Sequence, residues 1–174
     1  MILSALSTGI VTAGSDRYRC ALGRKGVCEA RLKEEGDGRT PAGVWPFRRL
    51  LWRPDRIPAP LSKLPARPIR PTDGWCDAPD DACYNREVFL PHRARAERLW
   101  RDDHLYDLLL VLGYNDDPIV PGAGSAIFMH LAWPDYRPTE GCLAVSTEDM
   151  LAILAKIRPG DAVHIEASDP GVAP

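Results

Sequence analysis

Apolar residues in this chain fall in short runs broken by turn residues, the pattern of strands rather than of long helices. The first fourteen residues are mildly apolar with Ser and Thr interspersed, and predict the first strand or strands. Residues 10–22 predict a hairpin: an apolar strand, a Gly14-Ser15-Asp16 turn, then an alternating strand. Residues 44–47 and 50–52 suggest another strand after a Thr40-Pro41 turn, and residues 87–90 a short one. Residues 105–112 are almost continuously apolar, as expected of a central strand. Turns at 113–118 and 121–124 then lead into a strand over 125–131. Residues 93–101 hold helix formers and predict one short helix. A second helix starts at Ser146, a capping residue with Asp149 three positions on. Its Met150, Ile153, Leu154 and Ile157 recur at helical spacing, so one face lies on a sheet, and Pro159-Gly160 stops it. Residues 161–166 predict a last strand, and 169–174 a frayed tail. The sum is a mostly-β single domain (β with minor α) over residues 1–174, core about 8–166, with one main helix on one face.

The pattern lapses over residues 39–71. They hold eight of the seventeen prolines and eight Lys/Arg against one acid, Asp55. A basic, Pro-rich stretch without periodicity is a poor core element. It reads as a long ordered loop, since Trp45, Trp52 and Trp75 around it are aromatics that disordered segments seldom carry. The expectation is a cap, about residues 39–104, whose Arg48 and Arg49 meet substrate carboxylates.

At 174 residues the chain suits one domain. Its net charge of −2 gives no bias toward nucleic acid. No apolar run approaches the roughly 18 residues of a membrane span. The N-terminus lacks a basic region and is a poor secretory signal. The five cysteines are an odd number. Cys76 and Cys83 flank an acidic loop and can close a small disulfide ring; their spacing is wrong for a zinc knuckle, with no His beside them.

The chemistry concentrates between His130 and Cys142. A thiol needs a nearby base to act as a nucleophile at neutral pH, and imidazole is the usual partner. Cys142 is the expected nucleophile, with an apparent pKa below the free-thiol value of about 8.5, and His130 the base. Gly141 lets the backbone approach a carbonyl, so its amide and that of Cys142 are candidate oxyanion donors. Ser125 and Thr139 are candidate substrate or loop-fixing hydroxyls. Tyr84, Asn85, Trp75 and Asn115 are polar or aromatic residues expected in loops, and the first three are candidate substrate-binding residues. Glu140 opposes a thiolate unless it points away or pairs with an Arg. A remote alternative has His130, Glu140 and Cys142 ligating Zn²⁺ in a non-catalytic module.

The strings Gly124-Ser125-Ala126-Ile127-Phe128-Met129-His130 and Thr139-Glu140-Gly141-Cys142 resemble the active-site signature of the L,D-transpeptidase (YkuD-type) catalytic domain. Lys33 to Gly43, with Thr40-Pro41-Ala42-Gly43, resembles that family's early turn. Gly74-Trp75-Cys76-Asp77, Tyr84-Asn85, Tyr106-Asp107 and Gly113-Tyr114-Asn115 resemble its compact branch. Many members have a His where this chain has Glu140, a polar residue where it has Leu143-Ala144-Val145, and a longer spacing from His to Cys. The resemblance implies two packed mixed sheets with the cysteine in a groove, and a backbone carbonyl, that of Leu131, orienting His130. It implies a monomeric enzyme without cofactor or metal, acting on peptidoglycan stem peptides in the periplasm or cell wall. A thioester intermediate would pass to an acceptor amine in 3-3 or 1-3 cross-links, or to water in a hydrolase. It also implies carbapenems as covalent inhibitors of Cys142.

Overall fold

The computed structural model describes residues 1–167; the tail expected over 169–174 lies outside them. In chain order the strands are β1 (Ile2–Leu6), β2 (Ile10–Ala13), β3 (Asp16–Ala21), β4 (Val27–Glu29), β5 (Thr40–Trp52), β6 (Ala66–Pro68), β7 (Asp73–Cys76), β8 (Glu87–Phe89), β9 (Ala96–Arg98), β10 (Leu108–Leu112), β11 (Phe128–Leu131), β12 (Leu143–Val145) and, after helix α1 (Thr147–Lys156), β13 (Ala162–Ile165).

One large sheet runs β10-β11-β12-β3-β2-β1-β13-β5-β4, with β6 beside β5. Because β5 also pairs with β10, the path closes on itself. The thirteen residues of β5 make this possible: Gly43–Pro46 pair with β13, and Phe47–Trp52 with β10. Pro46 sits at the change of partner, where its carbonyl accepts from Gly113 N at 2.8 Å. A small second sheet, β8-β7-β9, stands apart.

Alternation along β10 explains its continuous apolar run. Leu108, Leu110 and Leu112 face the main core with Leu3, Met129 and Leu131. Leu109 and Val111 face a second cluster of Leu51, Ile69, Trp75, Leu99, Tyr106 and Phe128. Both faces are buried, so both carry apolar side chains. Helix α1 places Met150, Ile153 and Leu154 in the main core, fully shielded. Each such side chain contributes roughly 1.5–3 kcal/mol of burial. Ser146 caps it, its hydroxyl accepting from Asp149 N at 3.0 Å.

Two expectations are corrected. Residues 39–71 are not one loop: most of their first half is β5, and β6 follows. The prolines within strands, Pro41, Pro46 and Pro68, are tolerated because they stand at a partner switch and at peripheral pairings, and the other five lie outside the strands. Residues 93–101 are not helical but carry β9, because pairing with β7 and full burial of Leu99 override local propensity. The ring that Cys76 and Cys83 could close, left open by the sequence, is not formed: both are free thiols. Residues 53–107 are an excursion between the neighbouring strands β5 and β10, and they hold the small sheet against the second cluster.

Candidate active site

A groove of about 650 Å³ opens between the closed sheet and that excursion. From the sheet side Ser125, Ala126, His130, Thr139, Glu140 and Cys142 line it. From the excursion come Asp77, Arg95, Glu97, Arg101 and Tyr106. His130 and Cys142 face one groove because β11 and β12 pair in parallel, with His130 opposite Ala144. The thiol thus lies one step before the strand that neighbours the imidazole.

The cysteine's setting is closely built. Its Sγ donates to Ala126 O at 3.2 Å and accepts from Phe128 N at 3.4 Å. Ala126 is left-handed, with φ of 53°, a conformation that costs energy in a non-glycine residue and needs support. Asn85 supplies it. Its Oδ1 accepts from Ala126 N at 3.0 Å and Trp75 Nε1 at 2.9 Å, while its Nδ2 donates to the carbonyls of Tyr114 and Asn115. Tyr84 accepts from Gly124 N and donates to Glu35. Asn115 binds Gly124 O and Val120. Trp75, Tyr84, Asn85 and Asn115 therefore stand behind the 124–126 turn and fix it; the first three, expected to bind substrate, do not line the groove.

Thr139 Oγ1 accepts from Gly141 N at 3.1 Å and donates to Cys142 O at 2.7 Å. Its backbone is tied to Leu22 and Arg24. It is a loop-fixing hydroxyl, and it occupies the Gly141 amide expected to face an oxyanion. Gly141 has another reason to be glycine: its φ is 140°, and a Cβ would lie 2.8 Å from Arg39 O. Ser125 Oγ is buried and has no hydrogen-bond partner among the described residues. Arg48 and Arg49 are not brought to the groove. They line a separate depression and pair with Asp116 and Glu87. Arg53 pairs with Asp55, Arg56 with Asp107, and Arg67 with Asp73 and Glu87. Five of the eight cations of the basic stretch are thus paired with carboxylates.

His130 Nδ1 lies 2.8 Å from Leu131 O, so Nδ1 carries the proton and Nε2 is left as a base. Burial pushes the imidazole down from 6.5 to about 4, opposed by that hydrogen bond. Burial also pushes the Cys142 thiol up to about 12. The expected thiolate below 8.5 is thus corrected: the resting pair is neutral thiol and neutral imidazole, because the groove floor shields both from water. Glu140 turns outward to Arg24, at 2.9 Å, which removes it from any set with His130 and Cys142. The described residues do gather Cys76, Asp81 and His92, so a His does come near Cys76, across the fold. Asp81 there is held by Arg93 at 2.8 Å and by Cys83 N.

The L,D-transpeptidase catalytic domain profile (YkuD) matches residues 10–165. The chain belongs to this family. Two solved structures are similar. One is L,D-transpeptidase 1 of Mycobacterium tuberculosis, with 13% identity, 94% of this chain and 60% of that one covered, and a TM-score of 0.42. The other is an L,D-transpeptidase from Mycobacterium smegmatis, with 11% identity, coverage of 95% and 58%, and a TM-score of 0.41. The chain spans about three fifths of the length of each. No curated protein matches it. Within this L,D-transpeptidase domain, sequence patterns missed the excursion's share of the groove. Glu97 and Arg101 lay in a stretch read as a helix, and Lys33 and Tyr106 entered only through family strings. The one available signal was Glu97 itself, a lone acid among Arg93, Arg95, Arg98 and Arg101.

Proposed function

We propose that this domain is a cysteine L,D-transpeptidase of peptidoglycan. The carrying observation is one groove holding a buried thiol and an imidazole whose Nδ1 is fixed on Leu131 O, leaving Nε2 to accept a proton. Cys142 Sγ attacks a donor stem carbonyl while His130 Nε2 takes the thiol proton. A neutral resting pair means that sulfur loses its proton as the C–S bond forms, not before. The tetrahedral oxyanion meets the Cys142 amide, since Gly141 N is already engaged by Thr139. His130 returns its proton to the leaving amine, and a thioester remains. An acceptor amine then takes the acyl group, restoring the thiol and giving a 3-3 or 1-3 cross-link. The substrate sets the site of action in the periplasm or cell wall.

Muropeptide analysis after incubation with isolated sacculi tests this. The protein should generate new cross-linked dimers, and Cys142→Ala none. Fragmentation of the dimers identifies the donor position. Only trimmed monomers would show water as the acceptor and a hydrolase. Intact mass after carbapenem treatment should show one adduct, absent in Cys142→Ala.

A further inference from the structure

We propose that Glu97 receives the ammonium of the acceptor in the transfer half-reaction, an assignment that rests on the transpeptidase reading above. Glu97 on β9 faces the same groove as Cys142 and His130 but enters from the opposite wall. Its Oε1 accepts from Tyr106 OH at 2.6 Å. The Tyr106 ring in turn meets His130 edge-on, with centroids 5.4 Å apart. One rigid aromatic therefore indexes the carboxylate to the imidazole.

The charge balance around Glu97 is incomplete. Arg101, the cation beside it, is 3.6 Å away, beyond hydrogen-bond range. That guanidinium is held by Asp103 through two bonds of 2.9 and 2.6 Å. Of the other groove carboxylates, Asp77 is held by Arg95 at 2.9 Å and Glu140 by Arg24, while Glu35, among the described residues, accepts only from the Tyr84 hydroxyl. Glu97 thus shares its one cation with Asp103, which makes the shorter bonds, so the desolvation of its carboxylate is only partly compensated. Desolvation, with Asp77 and Glu35 adding negative charge, pushes the Glu97 carboxyl up despite the Tyr106 bond and Arg101. Such a group gains from a visiting cation, and the transfer step brings one. The acceptor amine arrives protonated and must lose a proton before it can attack.

The proton count closes. The ammonium gives one proton to the Glu97 carboxylate, and the neutral amine adds to the thioester carbonyl. The C–S bond breaks, and nitrogen yields a second proton through His130 to sulfur. The products are an amide and the free thiol, and Glu97 releases its proton to water.

The test separates the halves of the reaction. Carbapenem acylation of Cys142, followed by intact mass, reads the first. Dimer formation from a tetrapeptide muropeptide donor, with a diaminopimelate tripeptide acceptor at varied concentration, reads the second. Glu97→Gln should acylate at a rate within about threefold of wild type. Its acceptor KM should rise about tenfold or more, the loss expected for a charged hydrogen bond, with product shifting to hydrolysed monomer. Glu97→Asp should recover part of the KM, and Tyr106→Phe should raise it less. Normal acylation with unchanged acceptor KM in Glu97→Gln overturns the assignment. So does a fall in acylation and melting temperature shared by all three variants, which marks a structural role. Wild-type protein that never acylates overturns the transpeptidase reading and this one together.

Discussion

At the residue scale, burial decides how Cys142 reacts. A thiol pushed up to about 12 and an imidazole pushed down to about 4 favour a neutral resting pair at neutral pH. Iodoacetamide alkylation of Cys142 should therefore keep rising above pH 9; a plateau near pH 7 would show a thiolate–imidazolium pair instead. The imidazole also links folding to pH. Its folded pKa is depressed, so between 6.5 and about 4 the unfolded chain binds more protons. Stability is then fully present above 6.5 and declines as pH falls through that window, by at most about 1.4 kcal/mol per unit of pH. His130→Asn should flatten this limb of urea midpoint against pH, and a limb unchanged in the variant would locate the titration elsewhere. Gly141→Ala should cost about 1–3 kcal/mol in denaturant unfolding, since the φ of 140° and Arg39 O leave no room for a methyl. Wild-type stability in that variant would mean the loop at Arg39 yields freely.

At the scale of elements, local chemistry and long-range pairing divide the outcome. Helix α1 was legible because its cap, apolar face and stop are all local: Ser146, Met150 to Leu154, Pro159-Gly160. Ser146→Ala should cost about 1 kcal/mol, and a cost near zero in thermal melting would mean water replaces the hydroxyl. The hairpin of β2 and β3 was legible for the same reason. Strand β9 was not, because what makes 96–98 extended is β7, twenty residues earlier, and a pocket for Leu99 that sequence spacing does not reveal. The same holds for the cap arginines. Their number was plain, but their partners Asp116, Glu87, Asp107 and Asp73 come from distant segments. A largely exposed pair such as Arg48 with Asp116 contributes about 0–1 kcal/mol. Arg48→Ala should thus leave donor KM unchanged, and a raised KM would return that arginine to substrate binding.

At the scale of the molecule, the groove exists because β5 and β10 are neighbours in the sheet yet 55 residues separate them in the chain. The strand that carries His130 and the turn that cradles Cys142 belong to the closed sheet, with its large core. The opposing wall of Asp77, Arg95, Glu97 and Arg101 belongs to the excursion, which rests on the smaller second cluster. The motif strings disclosed the first wall, since nucleophile and base lie within one stretch of chain. The second wall is assembled from β7, β9 and the turn before β10, and only the fold unites them. Stability should be divided the same way, because local opening energy follows buried apolar contact. Amide exchange should be slowest in β10 and β11, whose side chains are almost wholly buried, and faster in β7, β8 and β9. A carbapenem that acylates Cys142, as proposed, should slow exchange in β9 and the turn before β10 while leaving β1 and β2 unchanged. Slowing confined to β11 and β12 would show an adduct that contacts the sheet alone, and would strip the excursion of its role as the second wall.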